Sequence, residues 1–301
     1  MRRAVSIGLA LSAFLVIAPF GLCTEASAQT RVVSERTVTG LKFPESAIYD
    51  PKAKVLYVGQ FGELKPAEKD GKGKISRVSL DGKILDEQFL PTGGDVLNKP
   101  KGMWVQGNRL WVTDIDVVWV FDLQTRRGRK AELPGMQFAN DLAVKGNVLY
   151  VTDNRNDHVY RVEPADFLEG GAPKVAPFAS GKSLNPNGIY PAKDGSLLVV
   201  GFMSPQQPRG IYALGADGQV RTVAKDLGRL DGIYEMQDGS LLVTDWNSAT
   251  LSRWSAGSGM QTLASGFKGP ADFCVVPTAS GLLVVVPDLV KSELRLVELG
   301  K

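Results

Sequence analysis

Leu230-Asp231-Gly232-Ile233-Tyr234, followed after three residues by Asp238-Gly239-Ser240-Leu241-Leu242-Val243-Thr244-Asp245-Trp246, is one unit of a repeat. It reads as a polar residue after a turn, a short apolar strand, an Asp-Gly hairpin signal and a second apolar strand ending in Thr-Asp. The same grammar returns in Asn187-Gly188-Ile189-Tyr190 with Asp194-Gly195-Ser196-Leu197-Leu198-Val199-Val200. It returns again in Asn140-Asp141-Leu142-Ala143-Val144 with Val148-Leu149-Tyr150-Val151-Thr152-Asp153.

Aligning the turn before each first strand places Glu45, Lys101, Asn140, Asn187, Asp231 and Ala271 at equivalent positions, with spacings of 56, 39, 47, 44 and 40 residues. A period of roughly 40 to 50 residues is that of four-stranded propeller blades. Six units therefore predict an all-β, six-bladed β-propeller.

Third strands are read from Val118-Trp119-Val120-Phe121, Val159-Tyr160-Arg161-Val162, Gly210-Ile211-Tyr212-Ala213 and Leu251-Ser252-Arg253-Trp254; Asp81-Gly82 and Asp217-Gly218 mark turns to edge strands. Only Pro164 to Glu169 could form a helical turn. The sixth unit holds three strands, so Arg31 to Val38, rich in β-branched residues and free of glycine, is expected to supply the fourth and close the ring. Gly62 to Gly73 reads as an insertion on the rim.

Ahead of the repeat, Arg2-Arg3, an apolar run from Ala4 to Leu22 and Ala26-Ser27-Ala28 carry the three parts of a secretory signal. Residues 1–28 are expected to be removed and residues 29–301 to form the propeller in the periplasm or outside the cell. A retained anchor is the alternative, and lipidation at Cys23 is disfavoured by the bulk of Leu22 before it. Removing Arg2, Arg3 and Glu25 from 35 basic and 32 acidic side chains leaves 33 and 31, a balance with no nucleic-acid signature. Cleavage also leaves Cys274 alone, which excludes an internal disulfide and suits a buried small hydrophobe. The chain is expected to act as a monomer on a small-molecule substrate, with no membrane span after cleavage.

Residues at equivalent places on the innermost strands converge on the propeller axis. Of the six, Glu45, Asn140, Asn187 and Asp231 are oxygen donors, a set that suits a hard cation such as Ca²⁺. Asn and Asp before Gly also serve as turn formers, yet turn formers alone have no reason to share one register. Lys101 in the same ring could oppose the metal, pair with Glu45 or Asp272, or polarise a substrate carbonyl. Trp246, just past a strand end, is placed to line the pocket. The sole histidine, His158, starts a third strand, which excludes multi-histidine metal centres and histidine-dyad chemistry.

These positions resemble the gluconolactonase and regucalcin family of six-bladed propellers, also called the SMP-30 or luciferin-regenerating-enzyme group. The resemblance implies a divalent metal, Ca²⁺ first and Zn²⁺ as the alternative, held by Glu45, Asn187 and Asp231, with Asn140 facing metal or substrate. It also implies lactone hydrolysis with Asp231 acting on water. Two departures stand out: Phe138 occupies the place of an arginine that grips sugar hydroxyls, and Glu45-Ser46-Ala47 replaces Glu-Gly-Pro. A metal-dependent hydrolase of lactones or related esters is the first expectation, with Asp231 and Lys101 as catalytic residues and Asn140, Phe138 and Trp246 against the substrate. A non-catalytic propeller tied together by the same ion is the second.

Overall fold

A computed structural model describes Met1, residues 30–180 and residues 183–300; beyond Met1, the expected secretory signal lies outside the described residues. Strand β1 (Arg31–Val38) precedes the first blade, made of β2 (Pro44–Asp50), β3 (Val55–Gln60), β4 (Lys74–Ser79) and β5 (Ile84–Leu90). The second blade is β6 (Pro100–Gln106), β7 (Arg109–Asp114), β8 (Val117–Asp122) and β9 (Gly128–Glu132), and the third is β10 (Ala139–Lys145), β11 (Val148–Asp153), β12 (His158–Glu163) and β13 (Lys174–Ser180). The fourth comprises β14 (Pro186–Pro191), β15 (Leu197–Gly201), β16 (Arg209–Leu214) and β17 (Val220–Gly228). The fifth comprises β18 (Leu230–Glu235), β19 (Leu241–Asp245), β20 (Thr250–Ser255) and β21 (Gly259–Ala264). The sixth contains β22 (Cys274–Pro277), β23 (Gly281–Asp288) and β24 (Glu293–Gly300), with β1 as its outer strand.

All six sheets are antiparallel and four-stranded, so the chain is an all-β six-bladed propeller. Closure is as expected: β1 pairs with β24 from Arg31 opposite Gly300 to Val38 opposite Leu294. No helix occurs among the described residues, and residues 164–169 bend without the helical turn that their composition allowed.

There is no single central core. Apolar side chains pack between successive blades, so the second strands, covered on both faces, are the most buried. Leu56 and Val58 meet Val276, Leu283 and Val285 across the closing junction, and Tyr57 and Ile75 meet Leu110, Val112 and Trp119 across the next. Cys274 is buried in the first of these, and burial pushes its thiol up.

The Thr-Asp ending of the second strands turns out to clasp neighbouring segments. Asp114 accepts the backbone N–H of Asn98 at 2.8 Å and of Lys99 at 2.7 Å, and Asp153 accepts those of Gln137 at 2.7 Å and Phe138 at 3.0 Å. Each carboxylate thereby fixes the loop that enters its own blade. The preceding threonine reaches the next blade: Thr152 Oγ1 donates to the Asn187 carbonyl at 2.6 Å and Thr244 Oγ1 to that of Ala271 at 3.0 Å.

One irregularity positions the site. In the first five innermost strands the pairing register shifts just where the aligned polar residue stands, between Pro44 and Ser46, Pro100 and Met103, Ala139 and Leu142, Pro186 and Ile189, and Leu230 and Ile233. Such bulges release residues from the ladder and re-aim their side chains. The innermost strands also approach closely: a Cβ on Gly188 would lie 2.2 Å from the Asp231 carbonyl oxygen, and one on Gly102 would lie 2.4 Å from Asp141 Cα.

Candidate active site at the channel mouth

The bulges carry Glu45, Lys101, Asn140, Asn187 and Asp231, and Ala271 precedes the innermost strand of the sixth blade; all six are buried. Glu45 Oε2, Asn187 Oδ1 and Asp231 Oδ1 are buried oxygens with no hydrogen-bond partner among the described residues. Orphaned buried acceptors are costly, and three from three blades make a hole in the hydrogen bonding whose donor chemistry suits a cation. The donor set, two carboxylates and amide oxygens, suits a hard divalent ion. The other Asp231 oxygen is spoken for, since Trp246 Nε1 donates to Oδ2 at 2.8 Å.

The charges agree. Glu45 is raised well above the usual carboxylate range by burial, then by the charge of Asp231, against the opposing pull of Lys101. Burial likewise pushes Asp231 up to about 7, although the Trp246 hydrogen bond, the neighbouring Asn187 side chain and the charge of Arg229 act the other way. Without an ion these carboxyls prefer their neutral form. Asp231 then contributes stability that is fully present below its unfolded value of 3.8 and is lost as pH rises through about 7, and Glu45 acts in the same direction. A bound cation reverses that preference. The rise in melting temperature on adding Ca²⁺ is therefore expected to grow between pH 5 and pH 8, and a shift that stays constant over this range contradicts the assignment.

Lys101 departs from the simplest expectation, a channel-mouth ion pair. No carboxylate lies within 4.0 Å of its ammonium among the described residues, so neither Glu45 nor Asp272 pairs with it. Instead Nζ donates to the Lys99 carbonyl at 3.3 Å and sits 4.3 Å from the Phe138 ring centre and 5.6 Å from that of Phe61. Asp114 is occupied by backbone N–H groups, and Asp70 is taken by Lys99 at 2.7 Å. Burial brings the Lys101 ammonium down to about 8, resisted by the charges of Glu45 and Asp114.

Phe138 is half-buried, with Lys101 against its ring and Arg155 Cζ 4.4 Å from its centre. Trp246 meets Phe202 edge-on at 5.6 Å, and Arg229 Cζ lies 4.3 Å from the Phe202 ring centre. Sequence reasoning missed Arg155, Arg229 and Phe202. Arg229 was accessible, because it stands two residues before Asp231, the offset that Phe138 has from Asn140.

Asp141 and Asp272 were also missed as a second level, one residue farther along their strands. Asp141 accepts the N–H groups of Leu142 and Ile189, both at 2.7 Å, while burial raises it to about 7. Burial, then Asp141 and Glu45, raise Asp272 well above its ordinary value. Both face a hollow of about 360 Å³ farther down the channel, walled by Tyr49, Trp104, Tyr190 and Tyr234. The orphaned oxygens belong to the ring and not to this hollow, and chemistry follows the oxygens.

A third acidic group, Glu63, Glu68 and Asp70, lies on the rim with oxygens within 4.8 Å of one another. Lysines already neutralise it: Lys65 meets Glu68 at 3.0 Å, Lys72 meets Glu63, and Lys99 meets Asp70. His158 begins the third strand of its blade and stacks on Tyr160, away from the ring residues.

No family model matches the chain, and no curated protein does. Among solved structures it is similar to a streptogramin B lyase, at 14% identity over 89% of this chain and 98% of that one, with a TM-score of 0.61. A virginiamycin B lyase from Staphylococcus aureus is 15% identical over 91% of this chain and 100% of its own, with a TM-score of 0.61. A protein named as a candidate gluconolactonase is 14% identical over 91% of this chain and 93% of its own, with a TM-score of 0.62. At these identities the likeness concerns the fold.

Proposed function

We propose that this propeller is a divalent-metal-dependent hydrolase of lactones or related esters. The observation that carries the reading is the set of three partnerless buried oxygens, Glu45 Oε2, Asn187 Oδ1 and Asp231 Oδ1, on residues close enough for Asp231 to act on Glu45 and Asn187 on Asp231. Glu45, Asn187 and Asp231 would hold the ion, with Asn140 beside them, and Ca²⁺ suits these donors best. When bound, such an ion supplies Lewis acidity toward a carbonyl oxygen and toward water.

The chain's own residues supply the rest. Asp231, anchored through Oδ2 by Trp246, takes the proton of the attacking water as its oxygen bonds the carbonyl carbon. The acyl C–O bond breaks and the proton passes to the leaving oxygen. Lys101, desolvated and without a carboxylate partner, donates to the developing negative charge on the carbonyl oxygen. Phe138 and Trp246 hold the body of the substrate.

Histidine chemistry of the lyase kind has little support here. One virginiamycin B lyase structure is of a variant made inactive by replacing a histidine. This chain's sole histidine lies on a third strand, outside the ring.

Turnover of a panel of aliphatic, aromatic and sugar lactones and aryl esters by metal-defined protein tests the reading. Hydrolysis abolished by chelator and restored by Ca²⁺ or Zn²⁺ is expected; a metal-loaded protein that hydrolyses none of them contradicts it and leaves a binding propeller. The same reading places the protein outside the cytoplasm as a monomer, with Gln29 as its first mature residue. Intact-mass measurement of exported protein checks the cleavage, and a retained leader or a lipid on Cys23 overturns it.

A further inference from the structure

Three cations stand near the ring with no carboxylate within 4.0 Å among the described residues, although the charge of Glu45 is felt at Lys101 and that of Arg229 at Asp231. Lys101 bonds only a carbonyl, while the Arg155 and Arg229 guanidinium groups make no hydrogen bond to the described residues. The Nε of Arg229 is buried without a partner. Both guanidinium groups lie over aromatic rings at the mouth, Arg155 on Phe138, and Arg229 on Phe202 and, at 5.7 Å, on Trp246, which is itself tied to Asp231. Glu45 and Asp231 would be balanced by the one divalent ion of the hydrolase reading. Asp141 and Asp272 face the hollow at the other side of the ring. With an ion held by the ring carboxylates, the two guanidinium groups would be left without a carboxylate contact at the mouth.

The walls there are apolar. Phe43, Phe61, Phe138, Phe202 and Trp246 offer rings where a sugar needs hydroxyl partners. Arg155 is exposed, but Arg229 is half-buried with an unpartnered Nε; a neutral polyol leaves that charge uncompensated, whereas an anion with an apolar body satisfies both features.

We propose that the substrate of this site is anionic, an ester or lactone whose apolar or aromatic body carries a carboxylate or similar anion that Arg155 and Arg229 receive. The inference rests on the hydrolase reading for the reacting carbonyl, while the anion site itself is open to a separate measurement.

The test is calorimetric titration of metal-loaded protein with phenylacetate and with neutral phenylacetamide. It is accompanied by kcat/KM for phenyl hydrogen adipate and its neutral counterpart phenyl hexanoate. Phenylacetate is expected to bind at least about tenfold more tightly than the amide, the effect of a charge-assisted contact. Arg229→Met and Arg155→Met are each expected to remove most of that ratio, with unchanged melting temperature as the control for folding. Arg229→Lys keeps the preference. Equal affinity for both probes, or a ratio that neither methionine variant moves, overturns the proposal, since coordination to the ion alone gives the latter. If esters are hydrolysed without preference for the charged one, the proposal falls and the hydrolase stands. If no ester is hydrolysed yet both variants lose the phenylacetate preference, the anion site stands and the hydrolase reading falls.

Discussion

Asp231→Asn is expected to lower hydrolysis by about a hundredfold or more at saturating metal while the propeller stays folded. Loss of a general base costs roughly a hundred- to ten-thousandfold. The substitution is nearly isosteric, and the Trp246 indole N–H still finds an acceptor in the amide oxygen. That same hydrogen bond decides which way the amide points. With its oxygen toward Trp246, its nitrogen faces the ring, so metal affinity falls as well. Rates must therefore be compared at saturating metal. Glu45→Gln is the control: it weakens the metal and, once saturated, retains far more turnover, because Glu45 does not take the proton. An Asp231→Asn protein that keeps most of the wild-type rate moves the base elsewhere.

The second large effect is expected at Lys101. Lys101→Met should lower kcat by roughly a hundredfold, the scale of losing one preorganised donor to a developing oxyanion. The melting temperature should hold or rise. Lys101 is 1% exposed and unpaired by any carboxylate within 4.0 Å, so a methionine of similar length against Phe61 and Phe138 relieves a desolvated cation. A structural lysine gives the reverse pattern, a lower melting temperature with turnover intact. Activity is also expected to decline above about pH 8, where the ammonium loses its proton.

The fold was legible because each blade repeats one local grammar, and the closing strand because a ring with a three-stranded last unit demands it. The four oxygen donors were legible as a set for a related reason: bulges recur in one register, so the polar residue of each turn lands at one level. What stayed hidden depends on distances between blades. Pairing of Lys101 with a carboxylate was a fair expectation from charge alone. It fails because Nζ turns to the Lys99 carbonyl between the rings of Phe61 and Phe138, with neither Glu45 nor Asp272 within 4.0 Å of it. Arg155 lies just past a second strand, as Trp246 does, but an arginine in a surface turn carries no apolar mark, and only folding lays it on Phe138. The Thr-Asp endings were read as punctuation, although they clasp the blades and fix the loop that carries Phe138.

Metal binding by the purified wild-type protein, followed by elemental analysis and by thermal unfolding with chelator and with added Ca²⁺ or Zn²⁺, tests the ring most directly. One ion per chain is expected, with a melting temperature that falls in chelator and recovers with the ion. The gain corresponds to about 2.7 kcal/mol at a hundredfold excess over the dissociation constant, and the response is weaker in Glu45→Gln. A wild-type protein that carries no ion and melts at the same temperature in chelator and in added metal contradicts the account.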